Sequence, residues 1–132
     1  VDEMVDLATL TGACMVALGN YTAGLFSNNI KLKDKLLKAS LMSGEKMWQL
    51  PLDEELRSSI DSQIADVKNS ASTRYGGATT AAMFLEFFVD KKIPWSHIDI
   101  AGPAYIDKDR GWCAPGSTGF AVRSLINYLN LS

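Results

Sequence analysis

Apolar residues along this chain fall into two alternating periods, one near two residues and one near 3.6, and the switches between them predict strands alternating with helices. The first run, with Met4, Val5 and Leu7, reads as a strand over about Met4–Thr9, covered on both faces. A Thr/Gly turn follows, then a short apolar helix from Ala13 to Leu18 that stops at Gly19-Asn20. A second strand is predicted over Ala23–Ser27. Asn28-Asn29 then reads as a turn and N-cap in one for a helix over Ile30–Ser43, with Leu32, Leu36, Leu37 and Leu41 as its buried stripe and Gly44 as its stop. Lys31, Lys35 and Lys38 lie on another face and read as solvated.

Glu45 to Leu52 carries Met47, Trp48 and Leu50 but is short, so it reads as irregular or a brief strand. Asp53 caps a third predicted helix, in which Leu56, Ile60 and Ile64 repeat every four residues; a small strand over Ala65–Asn69 follows it. Asn69 to Gly77 is the most loop-like stretch. Ala78 to Val89 is predicted helical and apolar nearly all round, which implies burial in a large core or against another subunit. Ser96 to Ala101 reads as a strand with Ile98 and Ile100 on one side and His97, Asp99 and Ala101 on the other. A loop from Tyr105 to Ser117 leads into a last helix over Gly119–Leu129, with Ala121, Val122, Leu125, Ile126 and Leu129 as its inner face.

The 132 residues are enough for one domain with a core, and 47% hydrophobic with 21% charged residues is an ordinary balance for a globular protein. A net charge of −2 argues against a nucleic-acid partner, which draws on a basic patch. No apolar run approaches the roughly 20 residues of a membrane span. The acidic start Val1-Asp2-Glu3 has no secretory signal, and the absent initiator Met implies a piece of something longer. Cys14 and Cys113 show neither metal-ligand spacing nor a disulfide framework, which fits thiols in a reducing cytoplasm.

Chemistry enters at two turns. Thr9, Thr11 and Gly12 bring hydroxyls and bare backbone to a strand's C-terminal end, where open α/β sheets bind ligands. Ala101 to Ala104 ends the last strand in the same way. If the two strands are parallel neighbours, both turns share one rim, a shallow pocket with backbone N–H and C=O groups suited to a peptide-like ligand. Arg74 is the one cation of the 69–77 loop and reads as a surface arginine. His97, the only histidine, reads as a satisfied structural residue, because no nucleophile is tied to it by any motif. There is no HExxH, P-loop or nucleophile elbow.

Taken in order, Ala8-Thr-Leu-Thr-Gly-Ala13, Gln63-Ile-Ala-Asp-Val-Lys-Asn69, Gly76-Gly-Ala-Thr-Thr-Ala-Ala82 with Phe84-Leu85, His97-Ile-Asp-Ile-Ala-Gly102 and Ser117-Thr-Gly-Phe120 resemble the C-terminal part of the leucyl (cytosol) aminopeptidase family. The resemblance covers nearly the whole chain. It implies a three-layer α/β/α fold with a mixed, mostly parallel sheet, of which residues 1–132 would be the C-terminal portion of the catalytic domain. It also implies a cytoplasmic, usually hexameric enzyme that removes N-terminal residues from peptides with two divalent metal ions, zinc or manganese. The family's metal ligands, a lysine and several carboxylates, lie upstream of the first matching stretch, some in an Asn-Thr-Asp-Ala-Glu-Gly-Arg signature that is absent here. No metal ligand or catalytic residue is therefore carried over, and Asp2, Glu3 and Asp6 do not match the signature. What carries over is a substrate-holding wall. Leu10 C=O and Gly12 N–H would bind the substrate backbone beyond the scissile bond. Thr9, Gly12, Ala101 and Ala104 would line the pocket for the N-terminal side chain. Ser70 would lie near the leaving-group pocket. Ala104 is smaller than the methionine of some relatives, and Ser70 replaces a larger apolar residue. The alternative from another class is a non-catalytic binding or assembly module that keeps the fold; intact turns favour the enzyme fragment. Nucleotide binding at Thr9 to Ala13 is disfavoured, since no glycine-rich phosphate motif is present.

Overall fold

The computed structural model describes residues 1–131; Ser132, the last residue of the expected domain, lies outside the described residues. Strands β1 (Met4–Ala8), β2 (Thr22–Ser27), β3 (Lys46–Gln49) and β4 (Trp95–Asp99) form one sheet in the order β1-β4-β2-β3. β1 runs parallel to β4 and β2 parallel to β3, while β2 and β4 are antiparallel, so the sheet is mixed and mostly parallel. Helices α1 (Gly12–Leu18), α2 (Ile30–Ser43), α3 (Gly77–Phe87) and α4 (Val122–Asn130) flank it.

Alternation along the strands sorts the side chains into two cores. Ala23, Leu25 and Ile98 point to one face and pack with Leu32, Leu36 and Ala39 of α2 and with Ala121 and Tyr128 at α4. Phe26 points to the other face and packs with Cys14 of α1 and with Ala78 and Ala82 of α3. The result is the three-layer α/β/α arrangement. Local chemistry fixes the helix ends: the Asn29 side chain accepts from Leu32 N–H at 3.0 Å, and Gly44 closes α2 with φ 71°, a left-handed value that glycine adopts without cost.

Several expected elements differ. The helix expected beyond Asp53 is a 3₁₀ turn over Glu54–Ile60, and Ile64 is 99% exposed. Two local bonds stop it. Ile60 C=O accepts from Lys68 N–H at 2.7 Å instead of continuing an i+4 ladder, and Ser62 Oγ accepts from Ile64 N–H and Ala65 N–H. No strand forms over Ala65–Asn69. β1 is an edge strand among the described residues, with Met4 exposed and the remainder half-buried, so it is not covered on both faces. The loop after Tyr105 contains a small antiparallel pair, β5 (Tyr105–Ile106) and β6 (Gly116–Ser117).

The two apolar helices also differ from expectation. In α3, Phe87 and Phe88 at its C-terminal end are exposed and stack edge-on against each other. In α4 the inward side is Ala121, Ser124 and Tyr128, while Val122, Ile126 and Leu129 face outward. The inward polar residue has a cause. Glu45 is buried, and its carboxylate accepts from Ser124 N–H (2.8 Å), Ser124 Oγ (2.6 Å) and Arg123 Nε (3.3 Å). A buried carboxylate requires such donors, and they decide which side of α4 turns in.

Candidate functional site

β1 and β4 pair in parallel with Ala8 opposite Asp99, so both strands release their chains at one rim. Ile100 N–H donates to Ala8 C=O at 2.9 Å and holds the two exits side by side. From one exit, Thr9 to Thr11 passes into α1. From the other, residues 100–104 turn back, with Ala104 N–H donating to Ile100 C=O at 3.0 Å. Thr118 braces this second turn from behind, its N–H on Ala104 C=O at 3.0 Å and its Oγ1 on Pro103 C=O at 2.6 Å.

One side chain ties the turns together. Asp99 is fully buried. Its Oδ1 accepts from Leu10 N–H and from Ala101 N–H, both at 3.1 Å, and its Oδ2 accepts from Thr11 Oγ1 at 2.7 Å. Thr11 has extended backbone and caps α1, its Oγ1 accepting from Cys14 N–H at 3.0 Å. Gly12 is the first residue of α1, where a helix leaves N–H groups without intrahelical partners. A Cβ built on Gly12 meets nothing within 4 Å, so the turn is open on that side.

The expected site residues divide into two groups. Leu10 and Ser70, 60 positions apart, line one cavity of about 250 Å³ together with Thr11, Asn69, Thr73 and Thr80. Thr9, Gly12, Ala101 and Ala104 do not line that cavity. Thr9 and Gly12 are exposed, Ala101 and Ala104 half-buried, and all four belong to the two turns at the rim. Arg74 is exposed and does not line the cavity. Sequence reasoning missed Asp99 as a member of the site and treated it only as a neighbour of His97. The signal was present in outline, since a carboxylate at the last position of a strand beside a Thr-Gly helix start can reach the cap. The strand register that brings them together was not legible.

His97 lies two positions below the rim and is fully buried. Its Nδ1 pairs with Asp6 Oδ1 at 2.5 Å, and Asp6 Oδ2 also accepts from Trp95 Nε1 at 2.6 Å. The ring lies near-parallel to those of its cross-strand partner Phe26 and of Trp95 on the same strand, with centroids 6.1 and 6.4 Å away. This is a core histidine held through Nδ1 by a strand neighbour, but it is not the fully satisfied residue that its sequence context predicts: Nε2 is buried without a hydrogen-bond partner among the described residues. Burial, reinforced by the nearby charge of Asp99, pushes the Cys14 thiol up to about 11, so at neutral pH it is not a thiolate nucleophile. Among the described residues no group of three or more His, Cys, Asp or Glu side chains is placed to hold a metal ion. The described residues do not assemble the donor set that a two-metal centre requires.

The second turn approaches the α1–β2 corner so closely that a Cβ on Gly102 would overlap Gly19 C=O and crowd Asn20 Cα at 3.3 Å. Both obstacles are backbone and neither can swing away. Gly102→Ala is expected to destabilise the fold by about 2–3 kcal/mol. Urea unfolding of the chain checks this: the midpoint should fall with little change in slope. An unchanged midpoint would mean that the second turn and the α1–β2 corner are not in contact.

A mixed sheet whose β1–β4 parallel pair ends in two braced turns, the first of them beside a small cavity, defines an α/β domain of the kind that binds ligands at its strand ends. The catalytic-domain profile of the cytosol aminopeptidase family matches residues 1–126, and the chain belongs to that family. It is 55% identical over 128 residues to the probable cytosol aminopeptidase of Persephonella marina, covering 97% of this chain and 26% of that protein. With the probable cytosol aminopeptidase of Aquifex aeolicus it shares 52% over 129 residues, again 97% of this chain and 26% of the relative. Among solved structures, a mutant of tomato leucine aminopeptidase superposes with a TM-score of 0.93 at 41% identity, covering all of this chain and 25% of that one. The bottromycin maturation enzyme BotP in complex with Mn gives the same TM-score at 44% identity, over 98% of this chain and 29% of that one. The chain thus spans about a quarter of the length of the relatives it matches.

Proposed function

We propose that residues 1–132 are the C-terminal, substrate-holding portion of an aminopeptidase catalytic domain that releases N-terminal amino acids from peptides. The observation that carries this reading is the single rim made by the parallel β1–β4 pair, where both expected turns meet. In this reading Leu10 C=O and Gly12 N–H bind the peptide backbone beyond the scissile bond. A peptide laid along these groups would be recognised by its main chain, which suits an enzyme that must accept many sequences. Thr9, Gly12, Ala101 and Ala104 line the pocket for the N-terminal side chain, and the small Ala104 leaves it wide. Ser70, in the cavity beside Leu10, faces the residue that leaves.

The chemistry comes from outside this segment. Two divalent metal ions, zinc or manganese, would be held by the part of the parent that precedes it, and would polarise the carbonyl and supply the attacking water. The manganese complex of BotP supports a divalent metal in the parent. The relatives' names support a cytoplasmic location, and no helix among the described residues is long and apolar enough to cross a membrane. A hexameric parent is part of the same reading, and the exposed stripe of Val122, Ile126 and Leu129 is available for burial against the remainder of such an assembly.

The test uses the full-length parent with paired peptides, one with a free amine and one acetylated. Release of the first residue from the free peptide alone, lost on chelation and restored by manganese or zinc, is the expected result. Equal cleavage of both peptides would remove the aminopeptidase reading. No cleavage of either, in a correctly folded parent loaded with metal, would favour the non-catalytic module.

A further inference from the structure

Two acids are fully or almost fully buried among the described residues, and they do different work. Glu45 meets a cation, Arg123, and anchors a helix. Asp99 has no salt-bridge partner among the described residues; its hydrogen-bond donors are two backbone N–H groups and one hydroxyl, all neutral. Burying a carboxylate without a cation is costly, and apolar side chains usually fill such a space better. What Asp99 gains in return is local to the rim.

We propose that Asp99 is a positioning residue for the substrate-holding turns, an inference that rests on the aminopeptidase reading above. Leu10 is pinned on both sides: its own N–H is bonded to Oδ1, and the side chain of Thr11, the next residue, is bonded to Oδ2. The peptide unit between these anchors carries Leu10 C=O, so two bonds from one rigid carboxylate fix where that oxygen points. The same Thr11 hydroxyl accepts from Cys14 N–H, which fixes the start of α1 and with it the direction of Gly12 N–H. Through Oδ1, Asp99 also holds Ala101 N–H, so the second turn is set in register with the first. One planar group therefore sets the spacing between the backbone acceptor, the backbone donor and the side-chain pocket. Preorganised groups of this kind need not be ordered by the substrate, and their benefit falls on the reacting geometry more than on initial binding.

The role is geometric, and this distinguishes it from a requirement for charge. In Asp99→Asn the amide oxygen still accepts from Leu10 and Ala101, and the amide nitrogen donates to Thr11 Oγ1, which keeps its bond to Cys14. Every link survives with one reversed. In Asp99→Ala all are lost.

The experiment is steady-state kinetics on the full-length parent, with metal content and unfolding transitions measured for each variant. Asp99→Ala is expected to lower kcat by about 100-fold with a much smaller change in KM, at normal metal loading. Asp99→Asn should recover most of that loss. Thr11→Val, which severs one link and leaves the carboxylate in place, should lower kcat in the same direction by about 10-fold, and it serves as the reading if Asp99→Ala does not fold. Unchanged kcat in Asp99→Ala, or in Thr11→Val where the alanine variant is unfolded, would overturn the proposal, as would an asparagine variant as impaired as the alanine one. Gly12→Val separates the two levels of failure. If it abolishes turnover while Asp99→Ala does not, the positioning role alone is wrong. If it leaves turnover intact, the turns are not the substrate wall.

Discussion

The Gly12→Val substitution in the full-length parent is expected to lower peptide turnover by about 100-fold or more while the unfolding transition hardly moves. Fold and function separate at this position for a structural reason. The space where a Cβ would stand holds no atom of the chain within 4 Å, so the larger side chain meets no obstacle inside the folded protein. The backbone there is outside the left-handed region that only glycine adopts freely, and replacing glycine at a helix start changes stability by less than about 1 kcal/mol. What the branched side chain would obstruct is the approach of a peptide backbone to Gly12 N–H. A variant with full activity would place the substrate elsewhere. A variant that unfolds would show that the open space is filled by another part of the parent.

Gly102 provides the opposite case. There the glycine is needed by the fold itself, because Gly19 C=O occupies the position a side chain would take. The two glycines, one in each turn, look alike in the sequence. Only the packing shows that one stands beside open space and the other against backbone; a ligand path at Gly12 belongs to the proposed reading.

Much of the architecture was legible because local and tertiary signals agreed. Asn29 and Gly44 bound α2 as their chemistry requires; of its expected stripe Leu32 and Leu36 are buried in the core and Leu37 half-buried, while Leu41, in the last turn, is exposed. The exchange of strand and helix periods gave β1, β2 and β4 with small shifts at their ends. Where signals conflicted, tertiary or side-chain bonds won. The Leu56, Ile60, Ile64 repeat is a sound helix pattern, yet Ser62 Oγ and the Lys68 amide take the groups that would have continued it. The periodicity of α4 predicts its apolar stripe inward, but buried Glu45 draws Ser124 in and turns Val122 and Ile126 out. A residue's own sequence neighbours do not show that a distant carboxylate will need it.

The site was legible to a similar depth. Its two turns are visible in the sequence as small-residue breaks after apolar runs, and the structure supplies the parallel β1–β4 pairing that unites them. Leu10 and Ser70 do share a cavity. Thr9, Gly12, Ala101 and Ala104 came from the family pattern, since nothing in an exposed glycine or a half-buried alanine announces a pocket. Asp99 escaped notice because its importance depends on register, which places its carboxylate against a turn 88 residues earlier in the chain.

Catalysis on the proposed reading needs ligands fixed around two ions and groups that steady the developing charge. The described residues assemble a rim and a cavity but no cluster that could hold one ion. The most direct measurement is therefore made on residues 1–132 purified free of the parent. Zinc or manganese is added, and hydrolysis of a leucine amide-type substrate is followed. No turnover above that of the metal alone is the expected result, with activity appearing only in the full-length parent. Turnover that scales with the concentration of the 132-residue chain and vanishes with a chelator would contradict the division of labour proposed here, and would place the metal ligands within this segment.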